Sequence, residues 1–286
     1  MISLWIATFC SASIALLFKF SAIKKLDQSW VTMANYLTAS LFSGYMLLTD
    51  PFDYAHGNDL SITLIIGLIT GVFFLLSFVV YQISVRNNGA SMSGMFAKLG
   101  ILIPMIVSVV VWREIPTSIQ FIGICVALLA IAIANHSPKK SSMKAHSIKW
   151  LLALFISGGI AEFSNKIFQK SVPMDYRSLF LFTVFTTALI LSVLMHVRKK
   201  ENQQAVNNPW LSIFVGVLVG IPNLMASYFL LNALNEFPAS IVYPAYSAGS
   251  IVLISLLSVT LFKEVIYKKD WIAIGLTSLS LILLNL

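Results

Sequence analysis

Charge is what this sequence has least of. Of its 286 residues 10% are Asp, Glu, Lys or Arg, while 58% are hydrophobic and the mean hydropathy is +0.87. A soluble domain carries about 25% charged and about 45–50% apolar residues, so this chain cannot cover a water-facing surface. A cytosolic enzyme, a secreted disulfide scaffold and a disordered tail are excluded together. Cysteine is scarce too: Cys10 and Cys125 lie in apolar stretches and imply no disulfide framework. The first residues lack a basic n-region, and no small-residue cleavage site follows the apolar run, so this segment reads as a retained helix. There is no lipidation box at either end.

Catalytic signatures are missing as well. No His-Glu-x-x-His, Gly-x-Ser-x-Gly or phosphate-loop motif occurs, and no paired aspartates lie in the apolar segments. The four histidines (His56, His136, His146, His196) fall in predicted loops or at helix ends, and Asp50, Asp53 and Asp59 share one polar turn. The expectation is no enzyme, no metal or other cofactor, and no ATP-driven pump.

What the sequence does have is long apolar runs. A membrane helix needs about 20 such residues, and ten segments qualify once isolated charges are allowed: roughly 2–22, 29–49, 61–85, 89–112, 116–135, 149–169, 177–197, 209–233, 239–262 and 268–286. The runs are continuous, where a membrane β-barrel would alternate. The expected fold is an all-α integral membrane protein with ten transmembrane helices. The net charge of +8 then belongs to the loops, so no nucleic-acid partner is implied. Thirteen Lys and Arg fall in or beside alternate loops (Lys24, Lys25, Arg86, Lys139, Lys140, Lys144, Lys149, Arg198, Lys199, Lys200, Lys263, Lys268, Lys269), against Arg113, Lys170 and Arg177 in the others. That asymmetry places the first set in the cytoplasm and both termini outside. Trp5, Trp30, Trp112, Trp150, Trp210 and Trp271 mostly lie at span ends, as an interfacial belt would.

An internal repeat runs at a period of about 149. Gly67 and Gly71 recur as Gly216 and Gly220, Leu75 as Leu224, and the Ala90-Ser91 to Gly100 segment as Ala239-Ser240 to Gly249. With one inserted residue, Arg113-Glu114 recurs as Lys263-Glu264; near offset 147, Lys19 answers Lys166. The boundaries read as a first repeat at 1–135, a polar linker at 136–148 and a second repeat at 149–286. Five helices is an odd number, so the two repeats are expected to be inverted in the membrane, an arrangement many secondary transporters use around a midplane site. The paired Gly-x-x-x-Gly motifs read first as close helix packing.

Ten helices in two halves, each ending in a small-residue helix, a basic-Glu corner (Trp112-Arg113-Glu114, Phe262-Lys263-Glu264) and a final helix, resemble the drug/metabolite transporter superfamily, nearest its EamA-type ten-helix permeases. The resemblance spans essentially the whole chain. It implies a cavity lined mainly by helices 1, 3, 4, 6, 8 and 9, with helices 5 and 10 peripheral, and a small-molecule substrate.

Four ionisable side chains fall inside the apolar segments, each costing about 2.5–3.5 kcal/mol to insert, which makes it a site candidate by default. Lys98 lies nearest mid-helix, two residues before Gly100, and reads as a substrate contact or a structural ion pair. Glu162 is also near mid-helix. Lys166, at i+4, offers it a partner on one helix face; the alternative sets Glu162 against Lys98 across the cavity, to be displaced by substrate or a proton. Lys19 is close enough to a helix end to snorkel. Uncharged candidates are Tyr81 and Gln82, Asn223 beside Pro222, and Tyr243, Tyr246 and Ser247 around Pro244; with Pro104 these prolines mark expected bends.

The reading is a secondary active or facilitative transporter working by alternating access in the bilayer. The lysine excess within the spans points to an anionic or zwitterionic solute (an amino acid, organic acid or phosphorylated metabolite), with efflux as the expected direction. Protons are the candidate coupling ion, and the protein is expected as a monomer or homodimer in a bacterial inner membrane. The alternatives are a lipid-linked anion binder or flippase and a drug or organic-cation exporter of the same superfamily.

Overall fold

The computed structural model describes residues 1–50, 57–88, 96–97, 99–135, 145–198, 208–262 and 268–284. Among the described residues there is no strand. The α-helices are α1 (Ile2–Ile23), α2 (Gln28–Thr49), α3 (Gly57–Asn88), α4 (Leu102–Trp112), α5 (Ser118–Asn135), α6 (Ala145–Ser171), α7 (Arg177–Arg198), α8 (Pro209–Glu236), α9 (Ala239–Phe262) and α10 (Lys268–Leu284), with a 3₁₀ turn, Met174–Tyr176, ahead of α7. They match the ten predicted segments, with two differences. A turn at Gly100 and Ile101 interrupts the fourth predicted segment, whose residues 96, 97 and 99 are helical ahead of it; residues 89–95 and 98 lie outside the described residues. Pro104 has no N–H to give the Gly100 carbonyl, which accepts instead from the Ile103 N–H at 3.1 Å. Helix α6 begins at Ala145, inside the tract read as linker; residues 136–144 of that tract lie outside the described residues.

Local chemistry explains the helix starts. Asp27 caps α2, its carboxylate accepting from the Ser29 N–H at 2.8 Å. Asn208 caps α8 through the Leu211 N–H, and Pro209 follows in the first turn, where its missing donor costs nothing.

Among the described residues, five stretches are long and apolar enough to cross a membrane: Ile2–Ile23, Asn58–Tyr81, Ile148–Ser171, Met174–Arg198 and Pro209–Glu236. Leu102–Trp112, Ser118–Ala130, Ala239–Ile254 and Ile274–Leu284 are shorter apolar stretches. The surface suits lipid: Leu41, Leu48, Ile65, Val110 and Leu261 are exposed, while Thr8, Thr38, Ser43, Thr183 and Ser250 are buried. Each of these five hydroxyls donates to the carbonyl one turn back, satisfying its own polarity within its helix.

The halves interleave. Helix α1 packs on α8 and α9, α2 on α7 and α8, α3 on α6 and α7, α4 on α6 and α9, and α5 on α9 and α10. Exchanging α1–α5 with α6–α10 maps these pairings onto one another, apart from α5–α9. The repeated glycines sit at two of the crossings. A Cβ on Gly67 would meet Thr183 and one on Gly71 would meet Thr187 and the Val184 carbonyl; on Gly216 and Gly220 it would meet Ala34, Thr38 and the Asn35 carbonyl. Thr183, Val184 and Thr187 stand 149 positions after Ala34, Asn35 and Thr38, the spacing of the glycines themselves. Close backbone approach is the use that small residues serve at such crossings.

Candidate functional site

Between the halves lies a cavity of about 280 Å³. Its wall comes from α1 (Ser11, Ile14, Phe18), α2 (Asn35, Tyr36), α3 (Phe74, Ser77, Phe78, Tyr81), the turn before α4 (Ala97, Ile101), α6 (Leu154, Gly158, Ala161, Glu162), α8 (Asn223) and α9 (Tyr246, Ser247). These are the helices the resemblance implied, joined by α2. Helix backbones pack closely beside the wall at two places. The Gly220 crossing brings α2 against α8 beside Asn35, and the Gly100–Gly159 contact brings the start of α4 onto α6, with a Cβ on Gly100 only 3.0 Å from the Gly159 nitrogen.

One side of the wall is aromatic. Phe18 and Phe78 lie with ring centroids 4.9 Å apart, and Phe74 meets Phe185 edge-on at 6.2 Å. The polar groups are Ser11, Ser77, the tyrosines, Glu162, Ser247 and two carboxamides. Asn223 Nδ2 donates to Asn35 Oδ1 at 3.0 Å, bridging α8 to α2. Ser247 is fully buried, and its Oγ has no hydrogen-bond partner. Glu162 accepts from Asn165 Nδ2 at 3.2 Å, and its backbone carbonyl accepts from Tyr243 Oη at 2.7 Å. Among the described residues of the wall, Glu162 is the one charged side chain.

Of the residues chosen from sequence, Tyr81, Glu162, Asn223, Tyr246 and Ser247 therefore share one cavity. Tyr243 is buried, is not part of the wall, and is tied to it by its hydrogen bond to the Glu162 backbone. Lys19 is partly buried on α1 and is not part of the wall. Lys98 and the side chain of Gln82 lie outside the described residues. Asn35 escaped the sequence reading, because a lone Asn in an apolar run looks like any satisfied core amide and its partner stands 188 positions away.

Lys166 does not pair with Glu162. Its Nζ, on a side chain 1% exposed, lies 2.8 Å from Glu114 Oε1 and 2.9 Å from Gln169 Oε1, and 6.0 Å from the centre of the Trp112 ring. Lys170 meets the same Glu114 oxygen at 2.8 Å. The other oxygen accepts from Ser108 Oγ at 2.5 Å and from the Ala239 N–H at 2.8 Å, the first residue of α9. Arg113, left-handed at φ 55°, ends α4 and turns the chain so that Glu114 folds back over it. Burial pushes the Glu114 carboxyl up, but the two ammonium groups, the hydroxyl and the backbone N–H together hold it down to about 2. The basic-Glu corner is thus a clamp joining α4, α6 and α9. Its sequence counterpart at Lys263-Glu264 lies outside the described residues.

The same end of the bundle carries further ties. Glu236 receives the Met1 amino group at 3.1 Å and Ser3 Oγ at 3.2 Å, Ser178 donates to Asp50, and Arg177 donates to Asn232 and to Tyr228 Oη, the latter at 2.6 Å. At the opposite end the Asp27 N–H donates to Ser212 Oγ at 3.3 Å.

Comparison with known proteins places this geometry. A model of the EamA-like transporter family matches residues 1–135 and 146–286. An uncharacterised protein of Haemophilus influenzae is 24% identical over 280 residues, covering 94% of this chain and 92% of its own. A crystal structure superposes with a TM-score of 0.75 at 16% identity, covering 99% of this chain and 94% of the other, a likeness of fold.

Proposed function

The chain belongs to the EamA-like transporter family, and on that premise we propose that it carries a small zwitterionic or anionic metabolite through the central cavity by alternating access. The family is one of membrane transporters, not enzymes, so a multi-pass membrane protein with a small-molecule substrate is the starting point. The observation that carries the reading is the cavity itself, walled by both halves, so that movement of one half against the other changes its access. At about 280 Å³ it falls just below the range that encloses drug-sized ligands, which favours a metabolite. The counterpart pairings of α1–α5 and α6–α10 support two inverted repeats around it. The Glu114 end holds Arg113, Lys170 and Arg177, the basic-poor set, which supports that end facing outward.

In this reading Glu162, Tyr81, Asn223, Tyr246 and Ser247 contact the solute, and Lys98, which follows the lining residue Ala97 in the sequence, is proposed to join them. Tyr243 fixes the Glu162 backbone, and Lys166 serves the Glu114 clamp. Glu162 favours one alternative, an organic-cation exporter, because it is the charged group on the described wall. A thermal-stability screen of purified wild type beside Lys98→Ala separates the two, since a ligand for the folded state raises the melting temperature by mass action. The expected result is stabilisation of wild type, and not of the variant, by an amino acid, organic acid or sugar phosphate. Stabilisation by organic cations alone, abolished by Glu162→Gln, overturns the charge assignment.

A further inference from the structure

The bundle contains the same helix crossing twice, built two ways. At α3–α7, Gly71 lies against the Val184 carbonyl, and the lining residue of α3 one turn on is Phe74; at α2–α8, Gly220 lies against the Asn35 carbonyl, and the residue at the matching place on α8 is Asn223. Asn35 and Asn223 thus occupy the positions that Val184 and Phe74 occupy at the other crossing, 149 residues away in each case. The first crossing packs with apolar side chains, Val184 in a buried cluster and Phe74 against Phe185. Two carboxamides are therefore not a requirement of the crossing. Burying Asn35 and half-burying Asn223 carries a cost that an apolar pair avoids.

What the pair offers the cavity follows from counting. Each carboxamide has an amino group and a carbonyl oxygen. The Asn223–Asn35 bond takes one N–H of one carboxamide and one lone pair of the other, and among the described residues no other side-chain hydrogen bond engages either side chain. One amino group, on Asn35, and one carbonyl oxygen, on Asn223, are left wholly unengaged on two residues of the wall. Interchanging O and N on both residues leaves the same remainder, so the result does not depend on which Asn donates. The same wall holds the buried Ser247 Oγ, which lacks a partner and can donate or accept, and the Phe18–Phe78 ring pair.

We propose that Asn35 and Asn223 form a selectivity edge for a neutral planar group with a hydrogen-bond donor beside an acceptor: a carboxamide, ureido or lactam edge on the transported solute. An ionised carboxylate only accepts and an ammonium only donates, so each alone satisfies half of the edge and leaves the other half opposed. The inference rests on the transport reading above and adds to it the chemistry of one end of the solute.

The test is competitive uptake into proteoliposomes of the full chain with two matched pairs, glutamine against glutamate and glutaramate against glutarate. The amide members are expected to compete better by about tenfold or more, since a site that pairs both halves of an amide rejects the acid that leaves one unpaired. Asn35→Val with Asn223→Phe copies the other crossing, and at whatever uptake rate it leaves, the amide members are expected to lose their advantage over the acids. The near-isosteric Asn35→Leu with Asn223→Leu does the same should the larger ring crowd the cavity. Saturable uptake without discrimination, or discrimination that survives in both double variants, overturns the edge and leaves transport standing. No saturable uptake of any of the four overturns the transport reading for these solutes and the edge with it.

Discussion

A methyl group on Gly71 would stand 2.6 Å from the Val184 carbonyl oxygen, and one on Gly220 the same distance from that of Asn35. Backbone cannot step aside as a flexible side chain can, so Gly71→Ala and Gly220→Ala must push helices apart. Each is expected to cost about 1–3 kcal/mol, the usual range for overpacking. Gly158 and Gly275 have nothing within 4 Å of the same added atom, and alanine there should stay within about 0.5 kcal/mol of wild type. Thermal unfolding in detergent separates the groups; an unchanged midpoint for Gly71→Ala and Gly220→Ala would sink the close-crossing account. At this scale spacing made the crossing glycines legible, and depth in an apolar run pointed to Glu162, Asn223 and Ser247, which meet in the cavity. Lys166 shows the limit. Its depth was readable, but its anion lies 52 positions away in a connecting turn, and nothing local in the sequence pairs them.

Helix ends carry charged ties of the bundle, and at the α4–α5 corner Glu114 meets two lysines, a hydroxyl and a backbone N–H. Removing the Glu114 carboxylate leaves Lys166 buried beside an open N–H of α9, and breaking such a pair typically costs about 3–5 kcal/mol. Glu114→Ala is therefore expected to lower the melting temperature strongly, and Glu114→Gln with Lys166→Met to recover much of the loss. A double variant as unstable as the single one would remove the ion pair from the explanation. The pH dependence has a definite sign. The Glu114 carboxyl is depressed from 4.5 to about 2 in the folded state, so its contribution is full above the ordinary value and is lost as pH falls between the two. Acid melts of wild type should fall through that window more steeply than those of Glu114→Gln. The recurrent basic-Glu pair was visible in the sequence as a mark of helix order. Its role as a clamp was not, because three of its partners come from α6 and α9.

Across the whole molecule, the packing of α1–α5 runs to α6–α10, and no substantial pairing joins two helices within α1–α5 among the described residues. The ten helices and the two-part repeat were legible because hydropathy and spacing are local signals. The interleaving was not, since an apolar face does not name its partner. Residues 1–135 expressed alone are expected to insert without packing and to be degraded, while co-expression with residues 146–286 should restore a stable, co-purifying pair. A protease-resistant first half on its own would contradict this. A ribosome making this chain releases its first five helices into the bilayer with no helix yet present to receive them. Asn35, the corner glutamate and the glycines of α3 wait there unmatched until α6, α7 and α8 are synthesised. Assembly of this fold is thus late and all at once, and the newborn first half depends on whatever shelters unpaired helices at the site of insertion.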